Sequence, residues 1–132
     1  MAALDTNILV RYLVQDDAEQ FSKAQQLIAQ SLANGETLFV PVTVLIELEW
    51  VLRSRYALPK PVLLSTIASL LSAAELAIDQ ESAIEAALIA YQGGNADFSD
   101  CVHTALAHLA GQSPLWTLDV KAARLEGASL LS

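Results

Sequence analysis

The sequence predicts a single α/β domain, residues 1–132, built from four or five parallel strands with helices on both faces. Short apolar runs alternate along the chain with longer segments in which apolar residues recur at helical spacing, a pattern typical of a parallel sheet wrapped by helices. The length of 132 residues is that of one domain. Neither an internal repeat nor an interdomain linker is visible in the sequence.

The first half of the chain predicts two strands, each followed by helix. The apolar run Ala2–Leu4 reads as the first strand, and helical spacing begins directly after it. A further helix is expected from about Asp17 to Leu32, where Asn34 and Gly35 supply a stop signal. The run "TLFVP" predicts the second strand, which Pro41 ends, and Thr43 is placed to cap the next helix.

The second half continues the alternation. The turn "LPKP" at 58–61 precedes a helix expected over Val62–Ser72, and "ELAI" predicts the third strand. Asp79 is placed to cap a helix that runs to about Gln92, before a break at residues 93–95. "DFSDCVHTALAHLAG" predicts another helix, and "SPLWTLDVKAARLEGASLLS" predicts strand, short helix and strand.

Composition excludes some classes of protein. The net charge of −8 argues against a broad basic surface for nucleic acid, although a metal-dependent nuclease concentrates carboxylates by design. A hydrophobic content of 54% favours a homo-oligomer. Cys101 is the only cysteine, so neither an intramolecular disulfide nor a cysteine-based metal cluster is expected. Because no signal peptide or membrane span is visible, we expect a soluble, cytoplasmic protein.

Acidic residues fall where strands end and helices begin. Asp5 follows the first strand directly, and Asp119 follows "LWTL" in the same relation. Glu47 lies in the first turns of the helix after strand two, while Asp97 and Asp100 share one face of a helix start. Ligands of parallel sheets sit outside the carboxyl ends of the strands, so five carboxylates are expected to converge there.

Such a cluster opposes folding when it is empty, because neighbouring like charges raise one another's pKa. A divalent cation reverses this effect, and oxygen ligands without His or Cys favour Mg²⁺ or Mn²⁺. Structural interpretations remain open for single residues. Asp5 can cap the following helix through the backbone of Ile8, Asp119 can cap its short helix, and Glu47 can be a solvated helix residue.

Four stretches of the chain together indicate a family. "LDTNILVRYL", "VTVLIELEWVL", "DFSDCVHTALA" and "LWTLDV", in this order over nearly the whole chain, resemble the PIN-domain ribonucleases, specifically the VapC-like toxins of bacterial toxin–antitoxin pairs. The resemblance implies a three-layer α/β/α fold and a Mg²⁺- or Mn²⁺-dependent endoribonuclease that hydrolyses RNA phosphodiester bonds. It also implies a homodimer that is silenced by a cognate antitoxin encoded beside it.

The resemblance carries roles onto individual residues. It implies a catalytic set of four acids. The main metal ligands would be Asp5 and Asp100. A second metal or the attacking water would be positioned by Glu47 and Asp119. Asp97 either caps its helix or supports the metal ligands without binding the metal itself. Three further residues match the family pattern and are expected to orient ligands by hydrogen bonding: Thr6, Asn7 and Thr117.

Two other enzymatic functions stay open, and a purely structural or binding role remains if the acids are only helix caps. The first is a PIN-type nuclease that acts in RNA processing and is not a toxin, since both would carry the same acids. The second is a metal-dependent phosphotransfer domain. A phosphatase of that kind requires an Asp two positions after the first acid, where this chain has Asn7. A receiver domain requires an acidic pair at strand one. The sequence shows neither pattern.

Basic and aromatic side chains complete the predictions. A first basic group consists of Arg53, Arg55 and Lys60 and is expected to be a solvated helix end. A second group lies just after Asp119 and consists of Lys121 and Arg124. It is the better candidate for phosphate contact. Three aromatic residues within apolar runs are predicted to be core and not base-stacking platforms: Phe39, Trp50 and Trp116. His103 departs from the apolar residue usual in similar proteins, and a hydrogen-bonded structural histidine is the preferred interpretation.

Overall fold

The computed structural model describes residues 2–132 and confirms the α/β fold class. The described residues form six α-helices and five short strands, and every strand pair is parallel. The chain divides into two compact units, one ending at Asp79 and the other beginning at Gln80. The assignment of residues 1–132 to one domain stays a prediction.

A three-stranded sheet lies in the first unit. Its strands are β1 (Ala2–Ala3), β2 (Leu38–Val40) and β3 (Leu76–Ile78), in the order β1-β2-β3. Ala3 pairs with Phe39, and Phe39 pairs with Ala77. The hydrogen bond from the Leu4 N–H to the Phe39 carbonyl extends this ladder to the point where Asp5 leaves the sheet.

Four helices belong to the same unit: α1 (Thr6–Val14), α2 (Ala18–Ala33), α3 (Val42–Ser54) and α4 (Lys60–Ser72). Helix α3 illustrates how these helices bury an apolar face. Leu45, Leu48 and Leu52 recur at helical spacing and are fully buried. Asp17 caps α2 as predicted, because its carboxylate accepts from the Gln20 N–H at 3.0 Å.

The predicted cap of α3 is wrong. The helix begins at Val42, so Thr43 lies inside the first turn, and Pro41 occupies the capping position without a side-chain hydrogen bond. Asp79 supplies the missing acceptor, since its Oδ2 accepts from the Val42 N–H at 3.2 Å.

Asp79 is therefore not the cap that was predicted for the following helix. That helix, α5, spans Glu81–Gly93 and is preceded by Gln80 in a left-handed backbone conformation. Helix α4 also begins earlier than predicted, at Lys60, because a proline in the first helical turn has no intrahelical N–H bond to lose.

The second unit contains α5, α6 (Phe98–Leu109), a 3₁₀ turn (Ala122–Arg124) and a two-stranded parallel sheet. Its strands are β4 (Leu115–Thr117) and β5 (Ala128–Leu130). The rings of Tyr91 and Phe98, with centroids 5.4 Å apart, join α5 to α6 in a buried contact. This packing involves the first residue of α6, which lies between the capping residue Asp97 and Asp100 of the first turn.

Two predictions about the sheet and the core are corrected. The strands form sheets of three and two, where one sheet of four or five was predicted, and β1 is only two residues long. The three aromatic residues predicted to be core are exposed: Phe39 by 42%, Trp50 by 51% and Trp116 by 63%. For Phe39 the reason is strand alternation, because its neighbours Leu38 and Val40 point to the buried face.

Within residues 2–132, none of the helices combines the length and the apolar character that crossing a membrane requires.

Candidate active site

Asp5 stands between β1 and α1, at the carboxyl end of the strand. It is exposed, and its Oδ1 accepts a hydrogen bond of 2.7 Å from the backbone N–H of Thr6. The cap interpretation through Ile8 is correct only for the main chain, because the Ile8 N–H bonds to the Asp5 carbonyl oxygen at 3.2 Å. The carboxylate is thus oriented by the N-terminus of α1 while remaining open to solvent.

Thr6 connects this strand end to helix α3. Its side chain is buried, and its hydroxyl donates a hydrogen bond to Oε1 of Glu47. Glu47 itself is exposed, one helical turn into α3. One buried threonine therefore donates to two carboxylates, through its backbone N–H to Asp5 and through its hydroxyl to Glu47. The structure brings these two predicted site residues together.

Asn7 is the second residue of α1 and is exposed. It lines a cleft of about 510 Å³ between α1 and α2, together with Ile8, Arg11, Gln20, Lys23, Ala24 and Leu27. The cations of this cleft carry ion-pair partners, since Arg11 contacts Asp16 at 3.0 Å and Lys23 contacts Glu19 at 3.5 Å.

The remaining acids lie in the second unit. Asp100 is half-buried in the first turn of α6. Burial raises the pKa of its carboxyl above the ordinary value, and the negative charges of Asp119 and Asp97 raise this pKa further, while the charge of His103 opposes them. Asp97, Asp100 and Asp119 are therefore electrostatic neighbours. His103 is exposed near Asp100, and its interpretation as a hydrogen-bonded structural histidine stays a prediction.

Asp97 precedes α6 at the capping position, but its carboxylate makes no capping hydrogen bond. Only its carbonyl oxygen takes part, accepting from the Cys101 N–H at 3.1 Å. The exposed Asp97 side chain therefore does not cap α6, and its role as a support of the ligands stays a prediction.

Asp119 is held by a short turn after β4. Its backbone N–H donates to the hydroxyl of Thr117 at 3.0 Å. Its Oδ1 accepts from the N–H groups of Lys121 and Ala122, at 2.7 and 3.1 Å. The predicted capping interaction is present, and Thr117 fixes the backbone from which the carboxylate projects.

The spacing of the acids within each unit decides whether they could share one metal ion. Within each unit, the described residues bring no three His, Cys, Asp or Glu side chains close enough to hold one metal ion. The donor chemistry nonetheless fits a hard divalent cation, because every candidate ligand is a carboxylate.

An ion pair in α3 between a buried acid and an exposed base was not predicted. Glu49 is only 2% exposed, and its Oε2 accepts from Nε of Arg53 at 2.8 Å. Arg53 is exposed in the last turn of α3, as predicted, and in addition it forms an ion pair with Glu49. An acid followed four residues later by a base is the sequence signal that could have revealed this pair.

Comparison with known proteins identifies the family of this chain. No curated protein matches the chain. The model of the PIN domain family matches residues 2–128, a range that includes both groups of acids. This match spans nearly the whole chain, and the parallel α/β fold agrees with it. The chain therefore belongs to the PIN domain family, whose members are generally nucleases, that is, hydrolases of nucleic acid.

Proposed function

We propose that this protein is a Mg²⁺- or Mn²⁺-dependent endoribonuclease that acts as the toxin of a toxin–antitoxin pair. The observation that carries the proposal is the double donation by Thr6, which holds Asp5 and Glu47 at the end of β1. Carboxylates held this way at a strand end suit a cation and a substrate phosphate better than a purely structural role.

The acids divide the work. By the family resemblance, Asp5 and Asp100 would be the main metal ligands; a bound ion makes a water easier to deprotonate and offsets charge on the phosphate. Glu47 and Asp119 would position the attacking water or a second ion. Thr6 orients Glu47 by its hydrogen bond, and Thr117 holds the backbone of Asp119. Supporting roles for Asn7 and Asp97 rest on the family resemblance.

The partners and location follow from the same proposal. RNA is the substrate, a cognate antitoxin is the inhibitor, and the active form is a homodimer in the cytoplasm. The four quoted sequence stretches support the toxin assignment, and the hydrophobic content of 54% supports self-association.

RNA cleavage by the purified full chain tests the enzymatic part. End-labelled single-stranded RNA and DNA of the same sequence are incubated with Mn²⁺, Mg²⁺ or chelator. We expect cleavage of RNA only, and only with metal. Asp5→Asn and Glu47→Gln should each lower the rate about 10²-fold or more.

Glu36→Gln is the matched control, because Glu36 is an exposed acid of the α2–β2 connection. It should cleave at the wild-type rate. Equal activity with chelator, or equal activity in Asp5→Asn, would identify a contaminant and refute the proposal. Cleavage of DNA in place of RNA would keep a nuclease and overturn the ribonuclease.

Growth of a bacterial host tests the toxin part. Induction of the wild-type chain should arrest growth, and co-expression of the small gene next to it should relieve the arrest. Asp5→Asn should leave growth unaffected. Normal growth with a chain that cleaves RNA in solution would instead indicate a PIN-type nuclease of RNA processing.

A further inference from the structure

We propose that Trp116 is a stacking platform for an unpaired base of the RNA substrate, and that Lys121 and Arg124 hold the phosphates beside that base. This inference rests on the proposed ribonuclease function and adds residues that bind and orient the substrate. It concerns a single stretch of the second unit, from β4 through the 3₁₀ turn.

The first observation is the exposure of Trp116. It lies in the middle of β4, where alternation directs its side chain away from the face of Leu115 and Thr117. The residue is 63% exposed, although a tryptophan of an apolar run is normally covered. Two further apolar side chains beside Asp119 are also exposed, Leu118 by 77% and Val120 by 58%. The site acid is therefore flanked by apolar surface.

The second observation is the position of the positive charges. Lys121 and Arg124 are the only Lys or Arg residues after Gln80 in the sequence. Both are exposed, and neither forms an ion pair with any residue of the described range 2–132. The backbone N–H of Lys121 binds the carboxylate of Asp119, so this cation starts directly next to the site acid.

These groups are close along the chain. Trp116 precedes Asp119 by three residues, so their Cα atoms are at most about 10 Å apart. A base stacked on the indole would keep a neighbouring phosphate near Asp119 and within reach of the two cations. A planar aromatic face with adjacent positive charge is the combination by which proteins hold single-stranded nucleic acid.

Charge favours RNA over a second copy of this chain as the occupant. In a two-fold contact through this surface, a second copy would bring its own exposed Lys121 and Arg124 towards these cations, and like charges repel. Single-stranded RNA offers both base faces for the indole and phosphates for the cations. The stacking is independent of base identity, so these residues would position the strand and not select its sequence.

Tryptophan fluorescence tests the proposal in the full chain. The variant Trp50→Phe leaves Trp116 as the only tryptophan. A randomised pool of 2′-O-methyl RNA 12-mers, which resists cleavage, is titrated into it with Mg²⁺ present. We expect saturable quenching of Trp116 emission. In Trp116→Phe, where Trp50 is the only tryptophan, the same titration should leave emission unchanged.

Substitutions then separate stacking from simple apolar contact. Trp116→Leu should weaken RNA binding about tenfold or more, whereas Trp116→Phe, which retains a ring, should weaken it less. Lys121→Gln with Arg124→Gln should weaken binding and flatten its dependence on salt. Equal affinity for all of these variants would overturn the proposal.

The remaining outcomes distinguish this inference from the proposed function. If the wild type cleaves RNA but Trp116 emission does not respond, the stacking platform is refuted and the nuclease stands. If emission responds but no metal supports cleavage, the RNA-binding surface stands and the nuclease is refuted. A shift in emission with protein concentration alone, together with a doubled mass in light scattering, would assign Trp116 to a contact between copies.

Discussion

The hydroxyl of Thr6 donates a hydrogen bond to the carboxylate of Glu47, and this bond joins the start of α1 to α3. Thr6→Val keeps the shape of the buried side chain but removes the donor. Because hydrogen bonds to charged groups contribute about 1.5–3 kcal/mol, we expect a loss of that order in the free energy of unfolding. RNA cleavage should fall further than stability alone explains, since Glu47 loses its orientation.

Thr6→Ser is the control, because it restores the hydroxyl. Urea denaturation and the cleavage rate are measured for both variants. If Thr6→Val and Thr6→Ser behave alike, the hydrogen bond does not position Glu47.

The pKa of Asp100 predicts a pH-dependent penalty. Burial first, and then the charges of Asp119 and Asp97, raise this pKa above the ordinary value of 3.8. The folded state thus binds the proton more tightly than the unfolded state, so the free energy of unfolding falls as pH rises from 3.8 through the folded pKa. In chelator at neutral pH, Asp100→Asn should therefore unfold at a higher temperature than the wild type.

The order should reverse when metal is added. Mn²⁺ should raise the unfolding temperature of the wild type, because a ligand of the folded state stabilises it, and should raise that of Asp100→Asn less. Glu85→Gln, at an exposed position of α5, serves as the control for loss of one negative charge. An equal response to Mn²⁺ in all three proteins would argue against Asp100 as a ligand.

The pKa of Asp16 is shifted in the opposite direction. Desolvation raises it, but hydrogen bonds from Tyr56 and Arg11, each 3.0 Å long, outweigh this effect and lower the pKa below 3.8. The resulting stability is present above pH 3.8 and is lost as pH falls through the folded pKa. In Tyr56→Phe, the pKa of Asp16 should rise towards its ordinary value.

The carboxyl chemical shift of Asp16, followed by NMR during a pH titration, measures this change. Tyr12→Phe is the matched control, because Tyr12 stacks on Phe21 with the ring centroids 6.1 Å apart. It should leave the titration of Asp16 unchanged. A Tyr56→Phe titration that overlays the wild type would exclude the hydrogen bond as the cause.

The pair formed by Glu49 and Arg53 predicts a large difference between two neighbouring arginines. Arg53→Gln removes the charge that faces the buried Glu49 carboxylate, so we expect a loss of about 1–3 kcal/mol in the free energy of unfolding. Arg55→Gln, at an exposed position just after α3, should change it by less than about 0.5 kcal/mol. Urea denaturation of both variants checks the difference, and equal losses would show that the pair does not stabilise α3.

Gly127 precedes β5 with φ of +91°, a backbone conformation that disfavours side chains. An added Cβ would also lie 3.4 Å from the Thr104 methyl group. Gly127→Ala should therefore lower the free energy of unfolding by about 1–2 kcal/mol. Gly93→Ala, at the last residue of α5 with open space around it, should not lower it. Thermal unfolding distinguishes these outcomes, and an equal effect of both substitutions would contradict the strain at Gly127.

Much of the fold was predictable because it depends on local pattern. Apolar periodicity predicted the six helices of the described residues. Asp17 marked the start of α2, because its carboxylate accepts a hydrogen bond from the N–H of Gln20, only three residues later. The start of α3 was not predictable, because its acceptor, Asp79, comes from a distant part of the chain. Exposure of Phe39 and Trp116 also escaped prediction, since an apolar run does not reveal which strand face is covered.

The candidate site follows the same division. The strand-end positions of Asp5 and Asp119 could be read from the sequence, because the end of a strand is a local event. The bond between Thr6 and Glu47 could not, because it depends on how α1 packs against α3. The convergence of all the acids on one ion stays a prediction.

The turn after β4 separates two properties of Asp119. Its Oδ1 closes the turn by accepting from two backbone N–H groups, and an asparagine oxygen can accept the same bonds. Asparagine at this position would therefore preserve the local architecture while deleting the charge, whereas alanine would abolish both. Any contrast between those two replacements would report directly on how much of this residue's contribution is scaffold and how much is chemistry.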